Sequence, residues 1–162
     1  MLAIKLIAEN LMSLEKNKAI QRGLGGFPHE RLNQEATVLE MYRAFDRQDI
    51  EQGRKYMASN IVGHGMDGVT RQGVDAFIEY ATSMFSVFPD GYHQIDEAIA
   101  EADKVVTRGV FTGTHKGELM GIAATEKQIK FSFVHIDRVV DGKIVHHWGQ
   151  VDLFSMMQQL QR

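Results

Sequence analysis

Hydrophobic residues recur every three or four positions over much of the first half of the chain, a spacing typical of helices that pack on one face. The pattern predicts an amphipathic helix within residues 1–16, a second helix over 32–45 and a third over 73–88. Asp49 is placed to cap a further short helix after the second one. Pro89 is expected to end the helix over 73–88, because proline cannot continue a helix.

Later in the chain, β-branched and aromatic residues alternate with polar ones, which is typical of strands. A short strand is expected over 60–65, and longer ones are predicted over 93–99, 105–111, 129–140 and 144–151. Helices followed by a long antiparallel meander predict an α+β fold in which the helices cover one face of a curved sheet.

A glycine-rich joint separates the first predicted helix from the rest. We therefore expect an N-terminal amphipathic helix and Gly-rich linker over residues 1–28, and an α+β domain over 30–162. The apolar stripe of the extension fits packing on its own domain and packing on a neighbouring subunit equally well.

Composition narrows the class of protein. A chain of 162 residues with 44% hydrophobic and 24% charged residues fits one globular domain. The absence of cysteine excludes disulfides and thiolate sites. A net charge of −3 offers no basic field for nucleic acid. Without an apolar run of the ~20 residues that a bilayer span needs, or a signal peptide, we expect a cytoplasmic protein with no membrane partner.

The last predicted hairpin carries the candidate chemistry. Asp141-Gly142 suits a type I′ turn, which would set Val140 opposite Lys143. Counting outward from this turn gives three predicted cross-strand pairs: His135 with Trp148, Phe133 with Gln150, and Phe131 with Asp152. Period-two alternation places all six on one face together with Asp137 and His146. A face that mixes aromatic rings, imidazoles and carboxylates is unusual for a purely structural core.

Asp152 has two interpretations. Among Phe131, Trp148 and nearby apolar residues, desolvation would raise its pKa and make it a candidate general base. As the N-cap of a terminal helix over 153–160, it would instead accept backbone N–H bonds, which lower the pKa. The spacing alone favours the cap.

The histidines do not form a recognisable metal site. His146 and His147 are adjacent on a predicted strand and so point to opposite faces. A metal site is therefore not expected. His135 is either a core histidine satisfied by hydrogen bonds or a polar group in an apolar pocket.

Residues 114–127 form a long glycine-containing connection without a phosphate-loop pattern. It is either a lid or rim of a pocket, or a solvated hairpin loop.

Several segments, in one order along the chain, carry a family resemblance. They are Glu-Ala-Asp-Lys-Val-Val-Thr-Arg at 101–108, Gly-Thr-His-Lys-Gly at 113–117 with Gly121, Arg-Val-Val-Asp-Gly-Lys-Ile-Val at 138–145, His-Trp at 147–148 through Asp152, Phe-Pro-Asp at 88–90 and Gly63-His64. With these motifs, residues 34–160 resemble the SnoaL-like polyketide cyclase family. Residues 124–127, Ala-Thr-Glu-Lys, depart from the Pro-Thr-Gly-Lys-like turn usual there.

The resemblance implies a cone of the nuclear-transport-factor-2-like superfamily, a fold shared with ketosteroid isomerase, around an apolar pocket. It also implies an intramolecular aldol ring closure without cofactor or metal, in which an aspartate removes a proton beside an ester carbonyl. Carried onto this chain, that aspartate is Asp152 and the accompanying histidine is His135. The expected substrate-binding residues are His64, Phe85, Phe88, Phe131, Phe133, Trp148 and Gln150.

The function expected from residues and resemblance together is acid/base catalysis on a hydrophobic carbonyl compound, by a homodimer or higher homo-oligomer. The alternatives are a non-catalytic small-molecule binding domain of the same fold and an isomerase or hydrolase variant, because one fold hosts many activities.

Overall fold

The computed structural model describes residues 28–161, so the predicted N-terminal helix and most of the linker lie outside the described residues. The elements in chain order are α1 Pro28–Asp46, α2 Ile50–Arg54, β1 Met57–His64, β2 Thr70–Gln72, α3 Val74–Val87, β3 Tyr92–Glu101, β4 Lys104–Thr114, β5 Gln128–Val140, β6 Lys143–Val151 and α4 Leu153–Gln161. Among these helices, none has the length and apolar character needed to cross a membrane.

The six strands form one sheet in the order β2-β1-β6-β5-β4-β3. All neighbours are antiparallel except β1 and β6, which run parallel. The predicted α+β fold is confirmed, with helices on the concave face of a cone-shaped sheet. The short β2 and the parallel β1–β6 pair were not predicted, because hydrophobic periodicity does not indicate which distant strands become neighbours.

Local signals place the helix ends and the last turn as predicted. The Asp49 side chain accepts a hydrogen bond from the backbone N–H of Gln52, 3.0 Å away, at the start of α2. Asp141 and Gly142 have φ values of 49° and 70°, as a type I′ turn requires. The β5–β6 hairpin therefore begins in the predicted register.

β5 has a regular two-sided pattern. Its thirteen residues alternate between exposed and buried along the whole strand. The buried side carries, in order, Ile129, Phe131, Phe133, His135, Asp137 and Val139. This face of β5 is therefore the predicted one, and it points towards the helices.

β6 departs from the predicted register at a β-bulge. Val139 pairs with Ile144, but Arg138 pairs with His146, so Val145 is the extra residue on β6. One extra residue sends every later side chain of the strand to the other face. His147 therefore joins the inner face, in place of His146.

The three predicted cross-strand pairs are consequently wrong. His135 lies opposite Gly149 and Phe133 lies opposite Val151. Trp148 and Gln150 pair instead with two exposed-side residues of β5, Ile136 and Val134.

Candidate functional site

A cavity of about 160 Å³ lies between the sheet and helices α1 and α3. The cavity is partly open to the surface, so a ligand larger than its volume can extend out of it. Most of its lining is apolar, namely Met41, Phe45, Met66, Phe77, Ala81, Met84, Phe85, Phe88, Phe111, Phe131, Phe133 and Val151. Few polar groups reach this space, so each one lies among mainly apolar side chains.

Three of the six polar side chains in the lining are histidines: His93 from β3, His135 from β5 and His147 from β6. The rings of His135 and His147 meet edge to face with centroids 5.1 Å apart, and those of His93 and His135 are 6.5 Å apart. Within residues 28–161, each ring uses only its Nδ1 atom for a hydrogen bond. The Nε2 atoms remain for a ligand.

Asp137 orients His147. Its Oδ1 atom lies 2.8 Å from His147 Nδ1, and its side chain is fully buried behind the imidazole. An ionised carboxylate only accepts hydrogen bonds, so the proton of this contact belongs to Nδ1. When the ring carries only this proton, Nε2 has a lone pair. Gly149 lies two residues further along β6, and a Cβ atom there would come within 3.2 Å of Nε2.

His135 belongs to a second hydrogen-bonded group. Its Nδ1 lies 2.6 Å from the hydroxyl of Tyr42 on α1, and that hydroxyl lies 3.3 Å from Thr107 Oγ1. Burial lowers the pKa of His135 well below its ordinary value, and nearby His147 and His93 lower it further. Burial and the Asp137 carboxylate raise the pKa of Tyr42 well above its ordinary value. Both groups are therefore neutral near pH 7.

One proton lies between Tyr42 Oη and His135 Nδ1, and either atom can be its donor. The 3.3 Å contact with Thr107 leaves the same choice, because either hydroxyl can donate there. If Tyr42 donates to Nδ1, the proton of the neutral His135 ring is on Nε2, where it can be donated into the cavity. His147 and His135 would then present an acceptor and a donor side by side.

Asp46 and His93 form a third hydrogen-bonded pair in the lining of the cavity. Asp46, in the last turn of α1, accepts from His93 Nδ1 at 2.6 Å and from the backbone N–H of His93 at 3.2 Å. The side chains are 10% and 23% exposed, respectively. This pair is less enclosed than Asp137 and His147.

Asp152 lies outside the cavity lining. It is exposed and precedes α4, where its Oδ1 accepts from the backbone N–H of Ser155 at 3.0 Å. Of the two interpretations of Asp152, the N-cap is the one that the structure contains. Asp152 lacks the predicted apolar surroundings because the bulge at Val145 directs the side chains at this end of β6 to the opposite face of the sheet.

The predicted substrate-binding residues divide into two sets. Phe85, Phe88, Phe131 and Phe133 line the cavity, as does His135. His64, Trp148 and Gln150 do not, since they lie on the outer face of the sheet. His64 Nε2 is 3.0 Å from His146 Nε2, and the His146 ring stacks on Trp148 at 3.8 Å.

The connection over 115–127 contributes no residue to the cavity. His115 and Leu119 are buried, and Leu119 packs with Phe88, Met156 and other residues at the α4 end of the sheet. The segment is therefore neither a lid over this cavity nor a wholly solvated loop.

Sequence reasoning missed six polar residues of the site: Tyr42, Asp46, Tyr80, His93, His147, and Asp137 as the partner of His147. Asp46 lies four residues after Tyr42 and one residue beyond the helix predicted over 32–45, so a common helical face was available as a signal. His147 gave no such signal, because its orientation depends on the bulge. Within the described residues, no three His, Cys, Asp or Glu side chains are grouped to hold a metal ion.

Comparison with known proteins agrees with this architecture. The family model for SnoaL-like polyketide cyclase matches residues 36–160. Aklanonic acid methyl ester cyclase AcmA from Streptomyces galilaeus is 39% identical over 59 residues, which are 36% of this chain and 41% of AcmA. The match thus spans less than half the length of that relative.

Solved structures extend the similarity over most of the chain. AclR from Streptomyces galilaeus, a proposed hydroxylase, superposes with a TM-score of 0.71 at 28% identity, over 81% of this chain and 82% of AclR. IdmH from Streptomyces antibioticus, a proposed polyketide cyclase, gives 0.71 at 28% identity over 80% of this chain and 99% of IdmH. With the family model covering nearly all of the described residues, the chain belongs to the SnoaL-like polyketide cyclase family.

Proposed function

We propose that this protein catalyses proton transfer on a hydrophobic carbonyl compound without a cofactor, and that the overall reaction is an intramolecular aldol ring closure. The observation that carries the proposal is the Asp137–His147 pair, which presents the Nε2 lone pair of His147 to a mainly apolar cavity. A base in such a place is poorly solvated and well oriented, which suits abstraction of a carbon-bound proton.

His147 is the proposed base. Its Nε2 removes a proton from the carbon beside a carbonyl group, and the imidazolium that forms is stabilised by the Asp137 carboxylate 2.8 Å from Nδ1. Asp137 is fully buried and touches only the far side of the ring, so it acts as a positioning residue. This assignment replaces Asp152, which lies outside the cavity lining.

His135 is the proposed electrophile. As the carbon loses its proton, negative charge grows on the carbonyl oxygen, and a neutral Nε2–H group can donate a hydrogen bond to it. The lowered pKa of His135 supports this role, because a neutral imidazole donates without first losing a proton to the reaction. The Tyr42 hydroxyl holds the ring in the required tautomer.

The apolar wall defines the substrate class. Aromatic rings of Phe85, Phe88, Phe111, Phe131 and Phe133 surround the cavity and suit a flat apolar molecule. The relative AcmA is named as a cyclase of a methyl ester, aklanonic acid methyl ester, which supports a carbonyl compound as the substrate here. The enolate formed in the cavity would attack a second carbonyl of the same molecule, which closes a ring.

The test is hydrogen–deuterium exchange beside a carbonyl. We would incubate 2-tetralone, a flat bicyclic ketone, in D₂O with the protein and follow the carbon-bound protons by NMR. We expect faster exchange with the unaltered protein, and a loss of about 10²- to 10⁴-fold in His147→Gln, the usual contribution of a general base. His146→Gln is the matched control, since the neighbouring ring lies on the outer face.

The same experiment separates catalysis from binding alone. A non-catalytic domain would bind 2-tetralone, visible as shifted cavity resonances, without accelerating exchange. That result would reject the enzymatic proposal in favour of a binding domain. Equal exchange rates in His147→Gln and the unaltered protein would reject His147 as the base.

A further inference from the structure

The Asp46–His93 pair has no part in the proton abstraction proposed above, yet it faces the same cavity. Its geometry resembles that of Asp137–His147: a carboxylate holds the Nδ1 side of an imidazole, at 2.6 Å, and leaves Nε2. Asp46 also accepts the backbone N–H of His93, which fixes the carboxylate relative to the ring. The cavity therefore contains two carboxylate–histidine pairs on either side of His135.

The ring of His93 lies against the cavity wall. Its centroid is 5.0 Å from Phe111, 5.5 Å from Phe133 and 6.5 Å from His135. His93 and Asp46 also line a groove on the outside of the molecule, beside Arg43, Arg47 and Asp96. His93 is therefore the cavity histidine placed to exchange protons with solvent on the far side.

An aldol ring closure places demands on three atoms of the substrate. A carbon loses a proton, the adjacent carbonyl oxygen gains negative charge, and the oxygen of the second carbonyl becomes an alkoxide that needs a proton. His147 and His135 serve the first two atoms in the function proposed above. The third atom has no partner in that scheme.

We propose that His93, oriented by Asp46, donates the proton to the oxygen of the second carbonyl, so that the site takes compounds with two carbonyl groups. This inference rests on the proposed function. The electron pair of the broken C–H bond passes through the enolate to form the new C–C bond. The π pair of the second carbonyl moves to its oxygen, which takes the proton from His93 Nε2. His93 regains a proton from solvent in the outer groove, and His147 releases the one it took.

The Asp46 carboxylate supports this role through charge. A carboxylate 2.6 Å from Nδ1 stabilises the imidazolium form, and its 10% exposure limits competition from water.

The test separates proton abstraction from ring closure in one substrate. Aklanonic acid methyl ester would be incubated in D₂O, with deuterium uptake beside the carbonyls and formation of the cyclic product both followed by mass spectrometry. In His93→Gln we expect ring closure to fall about 10²-fold or more, while deuterium uptake stays within a few-fold of the unaltered protein. Asp46→Asn should also slow ring closure and keep deuterium uptake, but the loss of ring closure should be smaller.

Two controls match these variants. His146→Gln removes an imidazole from the outer face, and Asp103→Asn removes a carboxylate outside the cavity and the groove that pairs with Arg138. Both should keep uptake and closure. Thermal melting of each variant reports whether it folds. If His93→Gln does not fold, deuterium uptake and ring closure in Asp46→Asn test the proposal instead.

The outcomes distinguish the two claims. No deuterium uptake with the unaltered protein refutes the proposed function, and this inference with it. Uptake with normal ring closure in His93→Gln refutes only the role of His93. Loss of both steps in a folded His93→Gln also refutes it, because a donor to the second carbonyl is not needed for proton abstraction. Uptake without any ring closure by the unaltered protein overturns the two-carbonyl site.

Discussion

Replacing Asp137 by asparagine should lower the exchange rate strongly and change the free energy of unfolding only a little. The side chain is fully buried, Oδ1 lies 2.8 Å from His147 Nδ1, and Oδ2 has no hydrogen-bond partner among the described residues. Asparagine keeps the shape but removes the charge that stabilises the imidazolium of His147. Its amide can also donate to Nδ1, which would move the ring proton to Nε2 and remove the basic lone pair from the cavity.

The expected loss of rate is large. General-base contributions of about 10²- to 10⁴-fold correspond to about 2.7–5.4 kcal/mol of transition-state stabilisation, at about 1.36 kcal/mol for each factor of ten. The equivalent substitution in serine proteases lowers turnover by about 10⁴-fold, because the histidine takes the wrong tautomer. We expect Asp137→Asn to fall within this range for deuterium exchange of 2-tetralone.

The expected change in stability is small, because two effects oppose each other. Losing a charge-assisted hydrogen bond costs about 1.5–3 kcal/mol, whereas removing a buried charge with an unpartnered oxygen is favourable by a similar amount. A net change within about 2 kcal/mol corresponds to a Tm shift within about 8 °C. Asp103→Asn, at an exposed carboxylate bonded to Arg138, is the control. A folded Asp137→Asn that keeps more than about a third of the exchange rate would refute the orienting role.

Three further predictions concern the same cavity. Tyr42→Phe removes the hydroxyl 2.6 Å from His135 Nδ1 and should slow exchange by about 10- to 100-fold, since the ring loses its fixed tautomer; an unchanged kcat would contradict this. Gly149→Ala places a Cβ 3.2 Å from His147 Nε2 and should raise KM or lower kcat in steady-state assays with little change in Tm; unaltered kinetics would show that Nε2 is not used. Burial keeps the pKa of His135 below its unfolded value of about 6.5, so below that pH the unfolded chain binds more protons and the free energy of unfolding falls, by up to about 1.4 kcal/mol per pH unit. The free energy of unfolding would be measured by denaturant titration at several pH values, and in His135→Gln it should fall less steeply below about pH 6.5 than in the unaltered protein. The same pH dependence in both proteins would contradict this prediction.

Much of the fold could be predicted because its signals are local. The alternation along β5 identified the buried face that carries His135 and Asp137, and the Asp141-Gly142 dipeptide identified the turn. Each of these depends on neighbouring residues and on backbone preferences that the sequence displays directly.

The site could be predicted only in part, because one bulge decides which residues of β6 face inward. Nothing in the local sequence marks Val145 as the extra residue, and a shift of one position exchanged His146 for His147 and removed Trp148 from the inner face. The same shift explains why apolar surroundings were predicted for Asp152 although the residue is exposed. The partners from α1, Tyr42 and Asp46, reach the cavity through tertiary packing, which hydrophobic periodicity does not specify.

The central claim is that His147, and not Asp152, is the base, and the most direct test compares a substitution at each residue. Initial rates of deuterium exchange into 2-tetralone would be measured for His147→Gln and Asp152→Asn beside the unaltered protein. Asparagine is as good an N-cap as aspartate, so Asp152→Asn should keep its Tm and its exchange rate. We predict a loss of about 10²-fold or more in His147→Gln alone. Loss of exchange in Asp152→Asn, with His147→Gln still active, would contradict the account.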